Sequence, residues 1–219
     1  GADTLFSNVR ERFQSMDLMS VNLETPYTTV NDPHPTKGII FRANPEDLSL
    51  LVNAGVDYAA LANNHVFDHL QDGMNETMQH LSDRAIACSG AGSSSWIARQ
   101  PAFMSAQGLS VGTISMSDRT GHYNNAQPYL DAGPSRPGFA PWNRGEMQAT
   151  IPALSETVDL TIVQVHSGYE YSQAPVMNQG VEPSAEGDRW LLEEGVDPIS
   201  HGLLSRELLP NQSERSLRQ

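Results

Sequence analysis

Three short stretches of the 219-residue sequence place reactive side chains where chemistry is usually found. They are Asn22-Leu23-Glu24-Thr25-Pro26, then Ala62-Asn63-Asn64-His65-Val66-Phe67-Asp68, and His166-Ser167-Gly168-Tyr169-Glu170-Tyr171. Each follows an apolar run, so Glu24, Asn64-His65 and His166 all read as strand-end residues. A carboxylate, a side-chain amide oxygen and an imidazole nitrogen are ligands suited to a divalent ion such as Zn, Mn, Mg or Fe. A second imidazole beside such an ion could protonate a leaving group or steady a developing negative charge. The plainer alternative is local: Asn-Asn is a common turn pair, Asp68 could cap the next helix, and each histidine could be hydrogen-bonded at a strand end.

The elements that must position these groups alternate between strands and helices. Residues 56–61 follow Gly55 and are short and apolar, as in an interior strand of an α/β sheet, and ligands of such sheets bind beyond the carboxyl ends of strands. Residues 18–23 read as a strand closed by Pro26, which leaves Glu24 at its mouth. Residues 158–165 are the best β-branched run in the chain and deliver His166. Residues 85–88 make a further short strand, and 39–41 a short extended piece. Asp3 can cap a first amphipathic helix bearing Leu5, Phe6, Val9, Phe13 and Met16. Asn44-Pro45-Glu46-Asp47 opens a second helix with a capping side chain, and Gly55 stops it. Residues 73–83, 146–156 and 182–194 read as helices, the middle one despite Pro152. Residues 102–104 and 109–115 pair as a hairpin around Gln107-Gly108. The loop Gly90-Ala91-Gly92-Ser93-Ser94-Ser95 lacks the lysine of a phosphate-binding loop and the spacing of a dinucleotide fingerprint. Residues 116–144, rich in Pro, Gly and Asn, have no period and read as a lid or substrate-facing insertion.

Composition narrows the function classes. Twenty-six acids against 13 bases give a formal charge of −13, which repels polyphosphate backbones at long range and argues against nucleic acid. The single Cys88 permits no intrachain disulfide and no zinc knuckle, and reads as a small core residue. There is no run of about eighteen apolar residues and no leader pattern at Gly1-Ala2-Asp3.

The ordered set of motifs, extended by Phe41, Gly55-Val56-Asp57, Gly73, Thr77, Leu81, Gly90-Ala91-Gly92, Pro175 and Gln179, resembles the capsule-biosynthesis proteins of the CapA, or poly-γ-glutamate synthesis, type over roughly residues 5–197. That family is similar to calcineurin-like metallophosphatases. The resemblance implies a layered α/β sandwich over residues 1–197, followed by a divergent tail at 198–219. It implies Glu24, Asn64 and His166 as metal ligands and His65 as the catalytic imidazole, with Asp68 and Glu170 as supporting catalytic residues. Asn63, Tyr169 and Tyr171 are the expected substrate contacts. Two features of the family pattern are missing. The usual first strand with its Gly-Asp motif is absent, and Gly195-Val196-Asp197 is followed by Pro198-Ile199-Ser200-His201-Gly202 rather than by a His-rich segment. One ion, or none, is therefore expected. His69 departs from the family pattern and reads as a surface residue.

The expected function is a hydrolase of the cell surface or extracellular space, acting on an anionic polymer, a polysaccharide or a phosphoester. A glycosidase could instead use two of Glu24, Asp68 and Glu170, which requires carboxyls about 5–5.5 Å or about 6.5–9.5 Å apart, with Tyr123, Tyr129, Trp142, Tyr169 and Tyr171 available to stack on sugar rings. A third reading is a non-catalytic component that binds poly-γ-glutamate or organises a membrane-associated synthase.

Overall fold

The computed structural model describes residues 5–122 and 125–167. Strands β1 (Ser20–Asn22), β2 (Tyr58–Ala60) and β3 (Ala87–Ser89) form a parallel sheet in that order, with Val21 beside Ala59 and Ala59 beside Cys88. A second sheet runs β5 (Ala102–Ala106), β6 (Leu109–Ser117), β8 (Leu160–His166); β5 and β6 are antiparallel, β6 and β8 parallel. Between them in sequence lie β4 (Ala91–Gly92) and α4 (Ser95–Ala98), and β4 pairs antiparallel with β7 (Gly138–Phe139).

Side-chain alternation explains how the two sheets stack. Ala59 and Leu61 face a core built with Leu48, Leu51, Met74 and Leu81, whereas Tyr58 and Ala60 point the other way, toward Ala102 and Met104 of the second sheet. On β6, Ile114 and Met116 join Val163 and Val165 of β8 under α5 (Arg144–Ser155), through Met147, Ile151 and Leu154. The opposite faces of β6 and β8 therefore look back at the first sheet, and this layer is held by hydroxyls. Tyr58 donates to Ser89 Oγ at 2.6 Å, Ser89 donates to the Thr113 carbonyl at 3.2 Å, and Ser20 donates to Gln164 Oε1 at 2.6 Å. Gln164 and His166 share a face on β8, so the alternation that seats Gln164 against β1 also carries His166 over the ends of β1 and β2.

The helix from residue 44 forms as a tight turn, Pro45–Leu48, continued by α2 (Ser49–Ala54) and stopped at Gly55 with φ +84°. Asn44 makes no side-chain capping bond, so the cap expected there is not what starts the helix. Helix α3 (Leu70–Ser82) begins earlier than its periodicity predicts and buries Gly73, Met74, Thr77 and Leu81. The hairpin turn is the expected Gln107-Gly108, both left-handed at φ 51° and 81°, which matches the twist of the flanking strands.

Three further expectations fail. Helix α1 is only Arg10–Gln14 and has no buried residue; Leu5, Val9 and Met16 are exposed, and only Phe6 and Phe13 reach the core. The piece at 39–41 is not a strand, and Ile39 is exposed while the neighbouring pairing is a single bridge from Tyr27 to Ala43. His69 is also buried rather than on the surface. It precedes α3, and a Cβ added at Gly73 would lie 2.4 Å from its own Cβ, so glycine is what lets that turn close. In the long segment after β6, Leu130, Ala132, Phe139 and Ala140 are buried, and the Pro128 carbonyl lies 2.7 Å from His34 Nε2. Among the described residues no helix is long and apolar enough to cross a membrane.

Two positions test this packing. Gly90 sits between the sheets at φ +97°, where a Cβ would lie 2.7 Å from the Ala62 nitrogen and 2.8 Å from Ser115 Cβ. Gly90→Ala is expected to lower unfolding free energy by about 1–3 kcal/mol, read from the denaturant midpoint. On α3, Glu76 accepts from the Thr28 hydroxyl, the Thr29 amide and hydroxyl at 3.0 and 2.8 Å, and the Val30 amide at 3.3 Å. These bonds, that of Thr28 foremost, pull its carboxyl from 4.5 down to about 2. A lowered folded-state pKa stabilises the protein above the unfolded value and ceases to do so as pH falls through the folded one. Stability should thus decline between pH 4.5 and about 2 through this group, and Glu76→Gln should flatten that part of the profile in urea titrations at stepped pH.

Candidate functional site

Beyond the ends of β1, β2 and β8 the chain assembles a compact polar cluster. The loop after β2 is built by Asn63, which is completely buried. Its Oδ1 accepts the backbone amides of His65 at 3.1 Å and Val66 at 2.8 Å, and its Nδ2 donates to Leu23 O at 3.0 Å and Asn22 Oδ1 at 3.2 Å. Asn22 in turn donates to Glu24 Oε2 at 3.3 Å. One amide pair therefore ties the His65 loop to the strand that carries Glu24. The expectation that Asn63 contacts substrate meets an amide whose four hydrogen-bonding positions are all occupied within the fold.

His65 is nearly buried and held from three sides. Its Nδ1 lies 2.7 Å from Asp68 Oδ2, and its ring stacks on Phe41 with centroids 4.0 Å apart. Asp68, with no exposed surface, also accepts the Phe41 amide at 2.6 Å and pairs with Lys37 Nζ. Asp68 is therefore no helix cap: a carboxylate accepting from Nδ1–H fixes the tautomer and leaves Nε2 as the working nitrogen. That Nε2 faces Glu24 Oε1 at 4.0 Å.

On the other side of Glu24 stands His166, whose Nε2 is 3.7 Å from Glu24 Oε1 and 2.9 Å from Asn64 Oδ1. Ser117 fixes the end of β8 by donating to the His166 carbonyl at 2.7 Å. Burial lowers the His166 pKa, helped by the charges of Arg119 and His65 and opposed by Glu24. A neutral imidazole is the form that can ligate a cation. Burial likewise draws Lys37 below its ordinary value, against the pull of Asp68 and Glu24.

Glu24, Asn64, His65, Asp68 and His166 are thus brought together from three chain segments. Glu170, Tyr169 and Tyr171 lie outside the described residues, as does Tyr123. Among the described residues no three His, Cys, Asp or Glu side chains form a cage for a metal. The convergent donor set is a mixed one, with the Asn64 amide oxygen as third partner to Glu24 and His166. Glu24 and Asn64 both approach His166 Nε2, and one carboxylate, one amide oxygen and one imidazole are donor types that suit a divalent ion with positions left open.

Sequence reasoning missed Lys37, although a signal was present. It is the single lysine among 219 residues, in a chain whose other 12 basic residues are all arginines.

This chain belongs to the family described as bacterial capsule synthesis protein PGA_cap, which it matches over residues 1–198. It is 28% identical over 180 residues to the PGA biosynthesis protein CapA of Bacillus subtilis, a match covering 80% of this chain and 45% of that protein. It is 26% identical over 208 residues to a probable polyglutamine synthesis accessory protein of Mycobacterium tuberculosis, covering 89% and 51%. The capsule biosynthesis protein CapA of Bacillus anthracis is 24% identical over 186 residues, covering 82% and 44%. The chain spans about half the length of these relatives.

Proposed function

We propose that the chain carries a CapA-like, metallophosphatase-like hydrolytic site that acts at the cell surface on a phosphoester or polymer of capsule or polyglutamate synthesis. The observation that carries this reading is the arrangement around Glu24: an imidazole oriented by a buried carboxylate on one side, an imidazole and an amide oxygen on the other. The stacked sheets with helices on their outer faces suit the metallophosphatase-like sandwich.

Glu24, Asn64 and His166 would hold the ion. A divalent cation held there would supply Lewis acidity toward a scissile ester and would lower the pKa of a bound water. The protein's own part is positional and acid–base. His65 keeps its Nδ1 proton hydrogen-bonded to Asp68 and presents Nε2 to the reacting group; unprotonated, that nitrogen can take a proton from the attacking water, and once protonated it can pass that proton to a leaving oxygen. Phe41 covers one face of the imidazole and keeps bulk water from it. The buried Asn63, through the half-buried Asn22, holds the Glu24 carboxylate in register with that nitrogen.

The glycosidase alternative is weakened at one residue. Asp68 is wholly buried and its oxygens are engaged by Lys37, Phe41 and His65, so it is unavailable to a sugar. A non-catalytic reading draws support from a relative's name, which describes an accessory protein. The two separate on one experiment. Purified protein is stripped with chelator and assayed on a chromogenic phosphomonoester, a phosphodiester and polyglutamate, with and without added Mn or Zn. Hydrolysis that vanishes on chelation and returns with metal is expected; polyglutamate binding without turnover of any of the three would replace the hydrolase with the accessory role.

A further inference from the structure

We propose that Lys37 is a positioning residue, a buried ammonium that locks the His65–Asp68 pair and the Asn64 loop in one geometry. The proposal rests on the hydrolytic reading for its kinetic consequence, but its geometric content stands apart from it.

Lys37 lies in a stretch with no helix or strand, yet its side chain is only 9% exposed and Asp68 beside it is not exposed at all. Its Nζ donates to Asp68 Oδ1 and to the Asn64 carbonyl, and lies 3.4 Å from His65 Nδ1. Four residues on, the Phe41 amide takes the other oxygen of the same carboxylate at 2.6 Å, and the Phe41 ring lies on the imidazole. Segment 37–41 therefore clamps the pair from outside: one donor on each Asp68 oxygen, one aromatic face on His65, and a bond to the peptide of Asn64. That last bond matters because it fixes the Asn64 peptide and so keeps Asn64 Oδ1 beside His166 Nε2, 2.9 Å away; turning the peptide would swing it off.

The residue type fits the place. An ammonium is a compact charge with three rotatable donors on a thin stem, so it can enter a closed pocket and meet acceptors that are not coplanar; a guanidinium presents a flat fork instead. A chain that uses arginine at every other basic position uses its one lysine here. A buried carboxylate left without such a partner would take up a proton or turn toward another donor, and would then no longer hold the Nδ1 proton of His65.

Because Lys37 is the single lysine, protein labelled with 15N-lysine gives one side-chain ammonium signal, and the test can be read on wild type without metal. A slowly exchanging resonance with contacts to the Phe41 and His65 rings, displaced by Asp68→Asn, is expected. A rapidly exchanging, surface-like resonance unmoved by Asp68→Asn would overturn the proposal. In folded Lys37→Met, the imidazole 15N shifts of His65 should leave the Nδ1–H pattern of wild type. Its kcat should fall about 10–100-fold with little change in KM, and Lys37→Arg should lie between. Wild-type His65 shifts and kcat in Lys37→Met would equally refute the proposal. If wild type gives the expected spectra but hydrolyses nothing, the hydrolytic reading fails and the clamp remains; if activity is present and the spectra are surface-like, the clamp alone fails.

Discussion

His65→Ala is expected to lower hydrolytic turnover about 10²–10⁴-fold, the range over which a positioned acid or base contributes. The expectation follows from three contacts that all serve one nitrogen. Asp68 occupies Nδ1 at 2.7 Å, Phe41 covers a face at 4.0 Å, and what is left, Nε2, looks toward Glu24 at 4.0 Å. A histidine kept only for packing has no need of a carboxylate that is itself held by an ammonium and a backbone amide. The loss should sit in kcat, because His65 is no part of the Glu24, Asn64 and His166 donor set, and metal affinity should change far less than rate. His65→Gln, which keeps bulk and a hydrogen bond but cannot exchange a proton near neutrality, should lose nearly as much. Turnover within a few fold of wild type in both variants would remove His65 from the chemistry.

The second large effect is on folding. Asp68→Ala is expected to destabilise the protein by about 3–5 kcal/mol, because it strands a buried cation. Lys37 would be left at 9% exposure without its carboxylate partner, and the Phe41 amide and His65 Nδ1 would each lose an acceptor. Asp68→Asn keeps the shape and one acceptor oxygen and should cost less. Denaturant unfolding of both variants decides it. A loss below about 1 kcal/mol for Asp68→Ala would mean that the pocket opens to water and that the pair is not a buried one.

Much of this is legible in the sequence. The strand ends are, because apolar runs that stop at Glu24, Asn64 and His166 say both where the sheet ends and what it delivers. The hairpin at Gln107-Gly108 is, because two left-handed positions leave few residues to choose from. Helix α1 was misread for a physical reason: period alone cannot tell a helix that packs from one that merely turns past the core on two phenylalanines. The loop-building contacts of Asn63 are not legible, because a buried amide that builds a loop and one that meets a ligand look identical in sequence. Lys37 went unseen because its partner, Asp68, is 31 residues away, and long-range ion pairs leave no local pattern. The count of lysines was the remaining clue.

The central claim is that Glu24, Asn64 and His166 form one cation site beside an oriented His65. The most direct measurement is anomalous scattering from crystals of the protein soaked in zinc or manganese. The expected result is a peak within bonding distance of the Glu24 carboxylate, Asn64 Oδ1 and His166 Nε2 together, with His166 no longer hydrogen-bonded to Asn64. Crystals that take up metal elsewhere, or none at all, while His166 Nε2 stays 2.9 Å from Asn64 Oδ1, would contradict it.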